Sequence, residues 1–466
     1  MSAQPQAHLA FDLGATSWRA VLGRPVPGGV SMRELGRERH HPRECGGGLF
    51  WDIEGIFHGM KKVMRDAASQ GIVPSSIGID SWSVDYGLLD GRGRLFEQPR
   101  CYRDPRNLGM AERIASIVGQ RELFDRTGLI QEDITTLCQL AAAREADPGL
   151  FRAASTLLFI PDLLRFRLCG KKATDFTLAS TSQMYHLQKR CWDRELLQRL
   201  GIPCSILPEV RTGDSILGTL SPEISEETGL SGDTRIAIGT SHDTAAAFST
   251  QRPGEDEAVL SSGTWSMLGI RMERPLFLES IDPKRFGYEG NPDGSVRLLC
   301  NIPGMWILEQ CRDSWQKERG ELSWETLIEG AECADAFSVR VNPYDPAFAM
   351  TGNMPDEIRK YCLRTGQKEP RTPFETACAV FAGLADAYAL AVEELGSISG
   401  RQIRRVHVIG GGSRNLLLNR LFEQRAGIDV VRGPAEATAL GNIRAQIRAL
   451  AAGGGRDYPT INEEAP

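Results

Sequence analysis

Two segments about half a chain apart share one pattern: a short apolar strand, a glycine turn and a second strand. The first is Ala10-Phe-Asp-Leu-Gly-Ala-Thr-Ser-Trp18, and the second is Ala258-Val-Leu-Ser-Ser-Gly-Thr-Trp-Ser-Met-Leu-Gly269. Aligning Gly14 with Gly263 gives an offset of 249 residues (263 minus 14), which is about one domain length. The pattern predicts a chain built from two related halves.

The length of the chain agrees with this prediction. It has 466 residues, enough for two domains of roughly 200 to 250 residues each. Residues 250–257 are polar and contain Pro and Gly, which is typical of a linker. We therefore predict an N-terminal domain over residues 1–249, a C-terminal domain over 250–455 and a tail over 456–466.

The composition excludes several classes of protein. Hydrophobic residues make up 41% and charged residues 24%, the balance of a soluble globular protein, and the net charge of −6 argues against nucleic acid as a partner. No apolar run approaches the roughly 20 residues of a membrane span, and the N-terminus does not have the pattern of a signal peptide. The eleven cysteines form no CxxC pair, which is typical of reduced thiols. We expect a cytoplasmic protein without a membrane partner.

Apolar periodicity predicts an α/β fold. In the first half it predicts a helix over 56–68 and strands over 8–12, 18–22, 76–80 and 236–238. In the second half it predicts helices over 374–395 and 415–425, a helix after Pro434, and strands over 405–409 and 428–431. Strands thus alternate with helices, and glycine turns lie between them.

Motifs of other common enzyme classes are absent from the sequence. It contains no GxxxxGK[ST], no HExxH and no GxSxG. Gly410-x-Gly412-x-x-Asn415 lacks the third glycine of a dinucleotide fingerprint. Ser241, His242 and Asp243 are consecutive, so they cannot form a catalytic triad together.

Three glycine turns could place bare backbone N–H groups against phosphates. They are Asp12-Leu-Gly-Ala-Thr-Ser17, Ser261-Ser-Gly-Thr264 and Gly410-Gly-Gly-Ser-Arg-Asn415. Asp12, at a strand end beside two hydroxyls, suits Mg²⁺ held through water. Each turn alone would more often be an ordinary connection. Together, and in this order, they have the layout of an actin-like ATPase, with two phosphate turns followed by a nucleoside turn.

Longer motifs extend the pattern beyond the three turns. They are Ser76-Ile-Gly-Ile-Asp-Ser-Trp-Ser-Val-Asp85, Tyr102-Arg-Asp104, Ser241-His-Asp-Thr-Ala245, Leu260-Ser-Ser-Gly-Thr-Trp-Ser266, Asn301-Ile-Pro-Gly-Met-Trp306, Ile409-Gly-Gly-Gly-Ser-Arg-Asn-Leu-Leu-Leu-Asn419 and Gly433-Pro-Ala-Glu-Ala-Thr-Ala-Leu-Gly-Asn442. These motifs resemble the FGGY family of carbohydrate kinases, and within it the rhamnulokinases. The resemblance extends from residue 8 to about residue 445.

The resemblance implies two RNase H-like (actin-like ATPase) domains around a central cleft that binds ATP and a sugar. It also implies that Asp243 is the catalytic base, and a carboxylate suits this role because the attacking hydroxyl must lose its proton. The structural alternative is that Asp243 is the N-cap of a helix over Thr244–Phe248. We favour the catalytic interpretation.

The other site residues follow from the same resemblance. The residues implied for the sugar are Ser83, His242, Asp243, Thr244 and Asn301. Those implied for ATP are Ala15, Thr16, Ser17, Trp18, Arg19, Thr264, Glu309 and Gly411, with Asp12 for Mg²⁺. Trp82, Trp265 and Trp306 could stack on the sugar or fill the core, and for Trp265 we expect the core.

Some positions depart from the rhamnulokinase pattern. Ser83 replaces a glycine, Glu309 replaces a glutamine, and Gln131-Glu-Asp-Ile-Thr135, with Glu132 and Asp133, replaces a more apolar stretch near the sugar. We predict phosphorylation of a ketose hydroxyl by MgATP, with L-rhamnulose as the nearest candidate and a monomer or homodimer as the assembly. The alternatives are L-fuculose, ribulose, xylulose or a polyol as substrate, or a non-catalytic sugar or nucleotide sensor.

Overall fold

The computed structural model describes residues 6–320, 322–334, 338–348 and 352–453. The predicted tail over 456–466 lies outside the described residues. The helices and strands are numbered below in chain order.

The first half of the described chain combines a large mixed sheet with short helices. Its strands are β1 (Ala7–Leu13), β2 (Ser17–Val26), β3 (Gly29–Arg39), β4 (Arg43–Cys45), β5 (Gly48–Phe50), β6 (Pro74–Ser81), β7 (Tyr86–Leu89), β8 (Thr156–Phe159), β9 (Thr174–Asp175), β10 (Tyr185–His186), β11 (Cys191–Trp192), β12 (Val210–Arg211), β13 (Ile216–Thr219) and β14 (Arg235–Ala237). Its helices are α1 (Ile53–Ser69), α2 (Met110–Val118), α3 (Gln120–Thr127), α4 (Thr136–Ala146), α5 (Leu150–Ala153), α6 (Ile160–Cys169), α7 (Phe176–Thr181), α8 (Arg194–Arg199), α9 (Pro222–Thr228) and α10 (Asp243–Phe248).

The second half is built in the same way around longer helices. Its strands are β15 (Glu257–Ser262), β16 (Ser266–Met272), β17 (Phe286–Gly290), β18 (Val296–Ile302), β19 (Arg405–Ile409) and β20 (Asp429–Arg432). Its helices are α11 (Trp306–Arg319), α12 (Trp324–Glu332), α13 (Met354–Arg364), α14 (Pro373–Ser399), α15 (Leu416–Ala426) and α16 (Ala437–Gly453).

The main sheets of the two halves share a topology. The first has the order β13-β14-β6-β1-β2-β3, in which β1, β2 and β3 are antiparallel and β6 and β14 run parallel to β1. The second has the order β17-β18-β16-β15-β19-β20, in which β18, β16 and β15 are antiparallel and β19 and β20 run parallel to β15. The shared arrangement, with the glycine turn after the central strand of each sheet, confirms the prediction of two related α/β halves.

Each half buries its own hydrophobic core. In the first, β1, β2 and β6 pack against α1, and Trp18 is only 1% exposed there. In the second, the long helix α14 packs across β16 and β18. Among the described residues, α14 is the one helix long and apolar enough to cross a membrane, but 83% of its most apolar window is buried inside the protein. Its apolar surface is therefore accounted for by the core.

Elements of the second half also contact the first. Helix α16 packs against β1 and β6, where Gln446 Nε2 donates to the Leu9 carbonyl (3.2 Å) and Ser76 Oγ donates to Gln446 Oε1 (2.7 Å). Strand β17 also reaches the first half, because Tyr288 N donates to the Gly128 carbonyl at 2.7 Å. Of the predicted linker over 250–257, residues 250–256 lie in no helix or strand, and β15 begins at Glu257.

The predicted helices exist, but their ends lie outside the apolar pattern. The helix predicted over 56–68 is α1, which begins after Asp52, whose side chain accepts from Gly55 N. The helix predicted over 374–395 is α14, which begins after Thr372, the N-cap of a capping box with Glu375, and ends at Ser399, before the left-handed Gly400. Polar caps set these boundaries, and periodicity does not show them.

Candidate active site

The predicted catalytic segments of the first domain meet at one edge of its sheet. Asp12 lies near the end of β1, β6 ends at Ser81, and Ser81 pairs in parallel with His242 beyond β14. The carboxyl ends of parallel strands share an edge, and this edge is where open α/β sheets bind ligands. The structure therefore brings Asp12, Ser81 and the His242-Asp243 segment together.

The two turns predicted for phosphate and nucleoside in the second domain are also neighbours. Ser261 pairs with Ile409 across the parallel strands β15 and β19, so the turns at Gly263 and Gly410 leave the same edge. Gly410 has a φ of +79°, which favours glycine. A Cβ on Gly412 would lie 2.0 Å from Ser262 Oγ, whereas a Cβ on Gly411 would have no atom within 4 Å. Packing therefore explains why residue 412 is a glycine. It does not explain the glycine at 411, which faces open space.

The turn at Gly263 has a similar opening. A Cβ there would meet only the Trp265 carbonyl, at an ordinary 3.5 Å. Thr264 Oγ1 donates to Glu309 Oε1 at 2.8 Å, which places two of the predicted ATP residues in contact. Burial raises the pKa of Glu309, and the bond from Thr264 partly offsets this. A bare turn with a hydroxyl donor is suited to a phosphate group.

Arg19 joins the two domains beside the first phosphate turn. Its guanidinium pairs with Asp12 Oδ2 at 2.8 Å and also with Glu436, which follows β20 in the second domain. Burial alone would lower the pKa of Arg19, but Asp12 and Glu436 outweigh it and raise that pKa. Arg19 is therefore a fixed cation at the point where the edges of the two sheets approach.

Asp12 has a second carboxylate beside it. In the parallel register of β1 and β6 its Cα partner is Asp80, whose side chain is fully buried and accepts a hydrogen bond from Asn442 Nδ2. Burial raises the pKa of Asp12, although Arg19 opposes this, and burial together with the Asp12 charge raises the pKa of Asp80 well above its usual range. Two adjacent carboxylates, one fully buried and the other 12% exposed, favour a shared proton or a cation.

The carboxylate pair fits a Mg²⁺ ion. Asp80 Oδ1 is buried without a hydrogen-bond partner, which leaves a strong acceptor oxygen for a ligand. No group of three or more His, Cys, Asp and Glu side chains converges as a metal site within the described residues. Mg²⁺ is typically bound through one or two carboxylates together with substrate phosphates, and Asp12 with Asp80 matches that donor set.

Asp243 lies at the start of α10 and not before it. The N-cap residue is His242, whose side chain makes no capping hydrogen bond, and helix α10 begins at Asp243 itself. The Asp243 side chain is 30% exposed, and its Oδ1 accepts from Thr244 N and from Thr244 Oγ1 (3.2 Å). The structural alternative, Asp243 as N-cap, is therefore not how this helix begins. A partly exposed carboxylate is available to a ligand.

Buried groups hold the segment before Asp243. Arg165 is fully buried and donates to Ser241 Oγ at 2.8 Å and to the Ile238 carbonyl. Ser241 N donates to Asp175 Oδ2, and His242 N donates to Thr177 Oγ1, each at 3.2 Å. The backbone that carries His242 and Asp243 is therefore fixed on two sides before any ligand binds.

The Ser83 loop contains local backbone strain. Asp85 N donates to the Ser83 carbonyl at 3.0 Å across Val84, which has a φ of +73°. This is the pattern of a tight three-residue turn, and a positive φ is a real outlier for a β-branched residue. The Val84 carbonyl accepts from Thr136 Oγ1 at 2.7 Å, which helps to hold the turn. Strained turns of this kind are concentrated at ligand sites.

Asp85 holds the same loop through four hydrogen bonds to its carboxylate. Its carboxylate accepts from Trp51 Nε1 (2.5 Å), Trp82 Nε1 (3.0 Å), Gln139 Nε2 (2.9 Å) and Tyr102 N (3.2 Å). Burial raises the pKa of Asp85 to about 7 in spite of these donors. The Trp51 and Trp82 rings lie 4.4 Å apart, so this carboxylate orients an aromatic wall beside Ser83.

His40 connects that wall to the first phosphate turn. Its ring stacks on Trp82 at 5.5 Å, and its Nε2 lies 2.8 Å from the Gly14 carbonyl. Burial lowers the pKa of His40. The loop predicted for the sugar and the turn predicted for phosphate are therefore mechanically linked.

The two acidic departures in the 131–135 segment, Glu132 and Asp133, have different positions. Asp133 accepts from Gly109 N (2.9 Å) and Ala111 N (2.7 Å), so it caps the start of α2. Glu132 is exposed to solvent, but surrounding protein and the charge of Glu289 raise its pKa. Of the two departures, only Glu132 remains available to alter a sugar pocket.

The remaining predicted residues are less closely grouped. Trp18 is a core residue, so only its main chain could face a nucleotide, while Ala15, Thr16 and Ser17 are partly or largely exposed. Asn301 is exposed on β18, and its carbonyl accepts from Tyr344 OH at 3.3 Å. The expectation that Trp265 fills the core is wrong, because its side chain is 55% exposed at the tip of the β15–β16 turn.

Sequence reasoning assigned no role to several residues of this site. They are His40, Trp51, Asp80, Asp85, Glu289 and Glu436. Asp80, Asp85 and Glu436 stand inside the motifs that carry the family resemblance, so that resemblance could have pointed to them. His40, Trp51 and Glu289 lie outside these motifs, and only the fold brings them to the site.

Comparisons with known proteins agree with this architecture. Residues 7–249 match the N-terminal domain of the FGGY family of carbohydrate kinases, and residues 258–450 match its C-terminal domain. The chain is 38% identical over 460 residues to the rhamnulokinase of Bacteroides thetaiotaomicron, covering 98% of this chain and 93% of that protein. It is 35% identical over 442 residues to the rhamnulokinase of Halalkalibacterium halodurans, covering 95% and 93%.

Structural similarity extends to more distant proteins. The crystal structure of xylulose kinase from Rhodospirillum rubrum has a TM-score of 0.80 and 19% identity, covering 99% of this chain and 92% of that one. Fold and site together define a two-domain, actin-like phosphotransferase. The chain belongs to the FGGY family of carbohydrate kinases, and it is an ATP-dependent sugar kinase.

Proposed function

We propose that this kinase transfers the γ-phosphoryl group of ATP to the primary hydroxyl of L-rhamnulose, with Asp243 as the base. The observation that carries the proposal is the position of Asp243. Its carboxylate is partly exposed on a rigidly held segment, and it acts electrostatically on the Asp12 and Asp80 pair. A proton acceptor thus lies close to the groups proposed for the metal and the phosphates.

Phosphoryl transfer requires positioning and charge stabilisation more than covalent chemistry. The backbone N–H groups of the turns at Gly263 and Gly411 would contact the phosphates and the nucleoside, with Thr264 as a hydroxyl donor. Residues 15–17 and Arg19 would contact phosphate oxygens from the first domain. Asp243 would accept the proton of the sugar hydroxyl as that oxygen attacks in line.

Mg²⁺ is also part of the proposal. Asp12 would hold it, with Asp80 beside it, and the ion would supply charge neutralisation for the transferring phosphoryl group. The partner-free Oδ1 of Asp80 supports this assignment. Arg19 keeps Asp12 oriented toward the same edge of the sheet.

The identity of the sugar rests on the relatives. The named relatives are rhamnulokinases, which supports L-rhamnulose. A second candidate is another ketose or a polyol, and two observations favour it: Ser83 adds a side chain beside the strained turn, and Glu132 adds an accessible carboxyl group. Ser83, His242, Thr244 and Asn301 remain the proposed sugar contacts.

A substrate screen tests this proposal. ADP release would be measured by a coupled assay over ketoses, aldoses and polyols, with Mg²⁺ present and then chelated. We expect the highest kcat/KM for L-rhamnulose and loss of turnover on chelation. A higher value for another sugar would favour the second candidate, and tight sugar binding without ADP release would favour the sensor. We also propose a cytoplasmic location, with sugar and ATP as partners.

A further inference from the structure

His242 lies between two carboxylates that come from different domains. Its Nδ1 is 3.0 Å from Asp243 Oδ1, and its Nε2 is 3.4 Å from Glu289 Oε2 on β17. The imidazole is buried, with 8% of its side chain exposed. Among the described residues Nδ1 has no hydrogen-bond partner, so its contact with Asp243 is one of charge. Of the forms of the ring, only the imidazolium carries the positive charge that two flanking carboxylates attract.

Glu289 is itself firmly held in place. It pairs with Arg297, which is 1% exposed and also donates to the Gly290 carbonyl at 2.6 Å. On either side of Glu289 the strand is bound to the first domain, because Tyr288 N donates to the Gly128 carbonyl and Gly290 N donates to Ser180 Oγ at 2.8 Å. Strand β17 therefore presents the Glu289 carboxylate to the first domain in a fixed register.

We propose that Glu289 is a positioning residue for phosphoryl transfer: it holds the charged ring of His242 beside the carboxylate of Asp243. The inference rests on the proposed role of Asp243 as base. It means that the environment of the base is completed by the second domain. A fixed imidazolium ring keeps a positive charge beside the carboxylate that is proposed to accept the proton.

The electrostatics support this geometry. Burial alone would lower the pKa of His242, but Asp243 and Glu289 outweigh burial and raise it to about 9. Burial alone would raise the pKa of Glu289, but Arg297 and His242 lower it to about 2. Three further carboxylates act on this set: Asp12 and Asp80 interact with Asp243, and Glu132 interacts with Glu289.

The direct test is an NMR titration of the histidine side chains in the whole protein. His242 would be assigned by its loss in His242→Gln. We expect it to stay doubly protonated from pH 6 to 8, and to titrate lower by about one pH unit or more in Glu289→Gln. A wild-type His242 that titrates near 6.5, or one that Glu289→Gln leaves unchanged, would overturn the proposal.

The pH dependence of kcat/KM separates positioning from a general structural role. In Glu289→Gln we expect the alkaline limb to move down by about one unit, with a loss of about tenfold at pH 8.5 and a much smaller loss at pH 6. Glu289→Asp keeps the negative charge and should restore part of the rate that Glu289→Gln loses. It also keeps the test decisive if Glu289→Gln fails to fold because Arg297 has lost its charged partner. A uniform loss at every pH in both variants would overturn the proposal.

Glu394→Gln is the matched control. Glu394 pairs with Arg285 within the second domain, so its loss removes an equivalent ion pair without touching His242. Its pH profile should follow that of the wild type, and a shift equal to that of Glu289→Gln would overturn the proposal. If no sugar were phosphorylated, the proposed function would fail, and the NMR titration would still decide the role of Glu289.

Discussion

Asp12 and Asp80 are direct partners across the parallel strands β1 and β6, so two carboxylates lie side by side at the edge where the site is built. Arg19 forms an ion pair with Asp12 and acts on Asp80 only through its charge. Asp80 is left with a buried oxygen that has no partner. The pair is unfavourable without a cation, and this leads to a prediction about Mg²⁺.

Asp80→Asn should raise the Mg²⁺ concentration needed for half-maximal rate by about tenfold, because groups around a metal typically contribute 10- to 100-fold to affinity. The apo-protein should be as stable as wild type or more stable, since the change removes a buried charge next to Asp12. Mg²⁺ titration of the rate and thermal unfolding would measure the two effects. An unchanged Mg²⁺ requirement would exclude Asp80 from the metal site.

Gly411 and Gly412 allow a matched pair of substitutions in one turn. Gly411→Val should weaken ATP binding with little change in melting temperature, because its side chain would enter open space. Gly412→Val should destabilise the protein itself, because its Cβ would collide with Ser262. Calorimetry of ATP binding and of unfolding measures both. Gly263→Val should behave like Gly411→Val. If Gly411→Val left ATP affinity unchanged, the turn would not contact the nucleotide.

The charge contacts of His242 predict how stability depends on pH. Its pKa is raised from 6.5 to about 9, so its stabilising contribution is fully present below pH 6.5 and is lost as the pH rises through about 9. The free energy of unfolding of the wild type should fall over this range by on the order of 1 kcal/mol more than that of His242→Gln. Denaturant unfolding at pH 6.5 and 9.5 measures it. If the free energies of unfolding of wild type and His242→Gln changed in parallel with pH, the pKa of His242 would not be raised.

Ser83 predicts a change in specificity. It stands beside the strained turn at Val84, where a smaller residue would leave more room for a ketose. Ser83→Gly should raise kcat/KM for L-rhamnulose relative to the best other sugar of the screen, because a pocket that hydrogen-bonds hydroxyls discriminates strongly between analogues. If the wild type already prefers L-rhamnulose and Ser83→Gly leaves the ranking unchanged, Ser83 does not set specificity.

The sequence predicted the fold better than the site. The two glycine turns at Gly14 and Gly263 were found because alternating apolar residues and glycine are local signals, and both lie after a central strand. Trp265 was misjudged because apolar character shows a preference for burial, whereas exposure at a turn tip depends on the tertiary fold.

The contacts between domains had no local signal. Glu289 is a single carboxylate on an edge strand, and nothing in its neighbours along the chain shows that it faces His242, 47 residues earlier (289 minus 242). The same holds for Arg19 and Glu436, which are 417 residues apart. Such pairs depend on how the two sheets approach each other, and periodicity carries no information about that.

The central claim is that Asp243 is the base, and the most direct test is the turnover of Asp243→Asn with the best sugar. The control is Asp233→Asn, a change of the same type at an exposed carboxylate. Asp233 precedes the start of β14, whereas Asp243 follows the end of that strand. We predict that Asp243→Asn folds and binds ATP and sugar but loses about 10²- to 10⁴-fold in kcat, while the control keeps the wild-type rate. A kcat for Asp243→Asn within a few-fold of wild type would contradict the account.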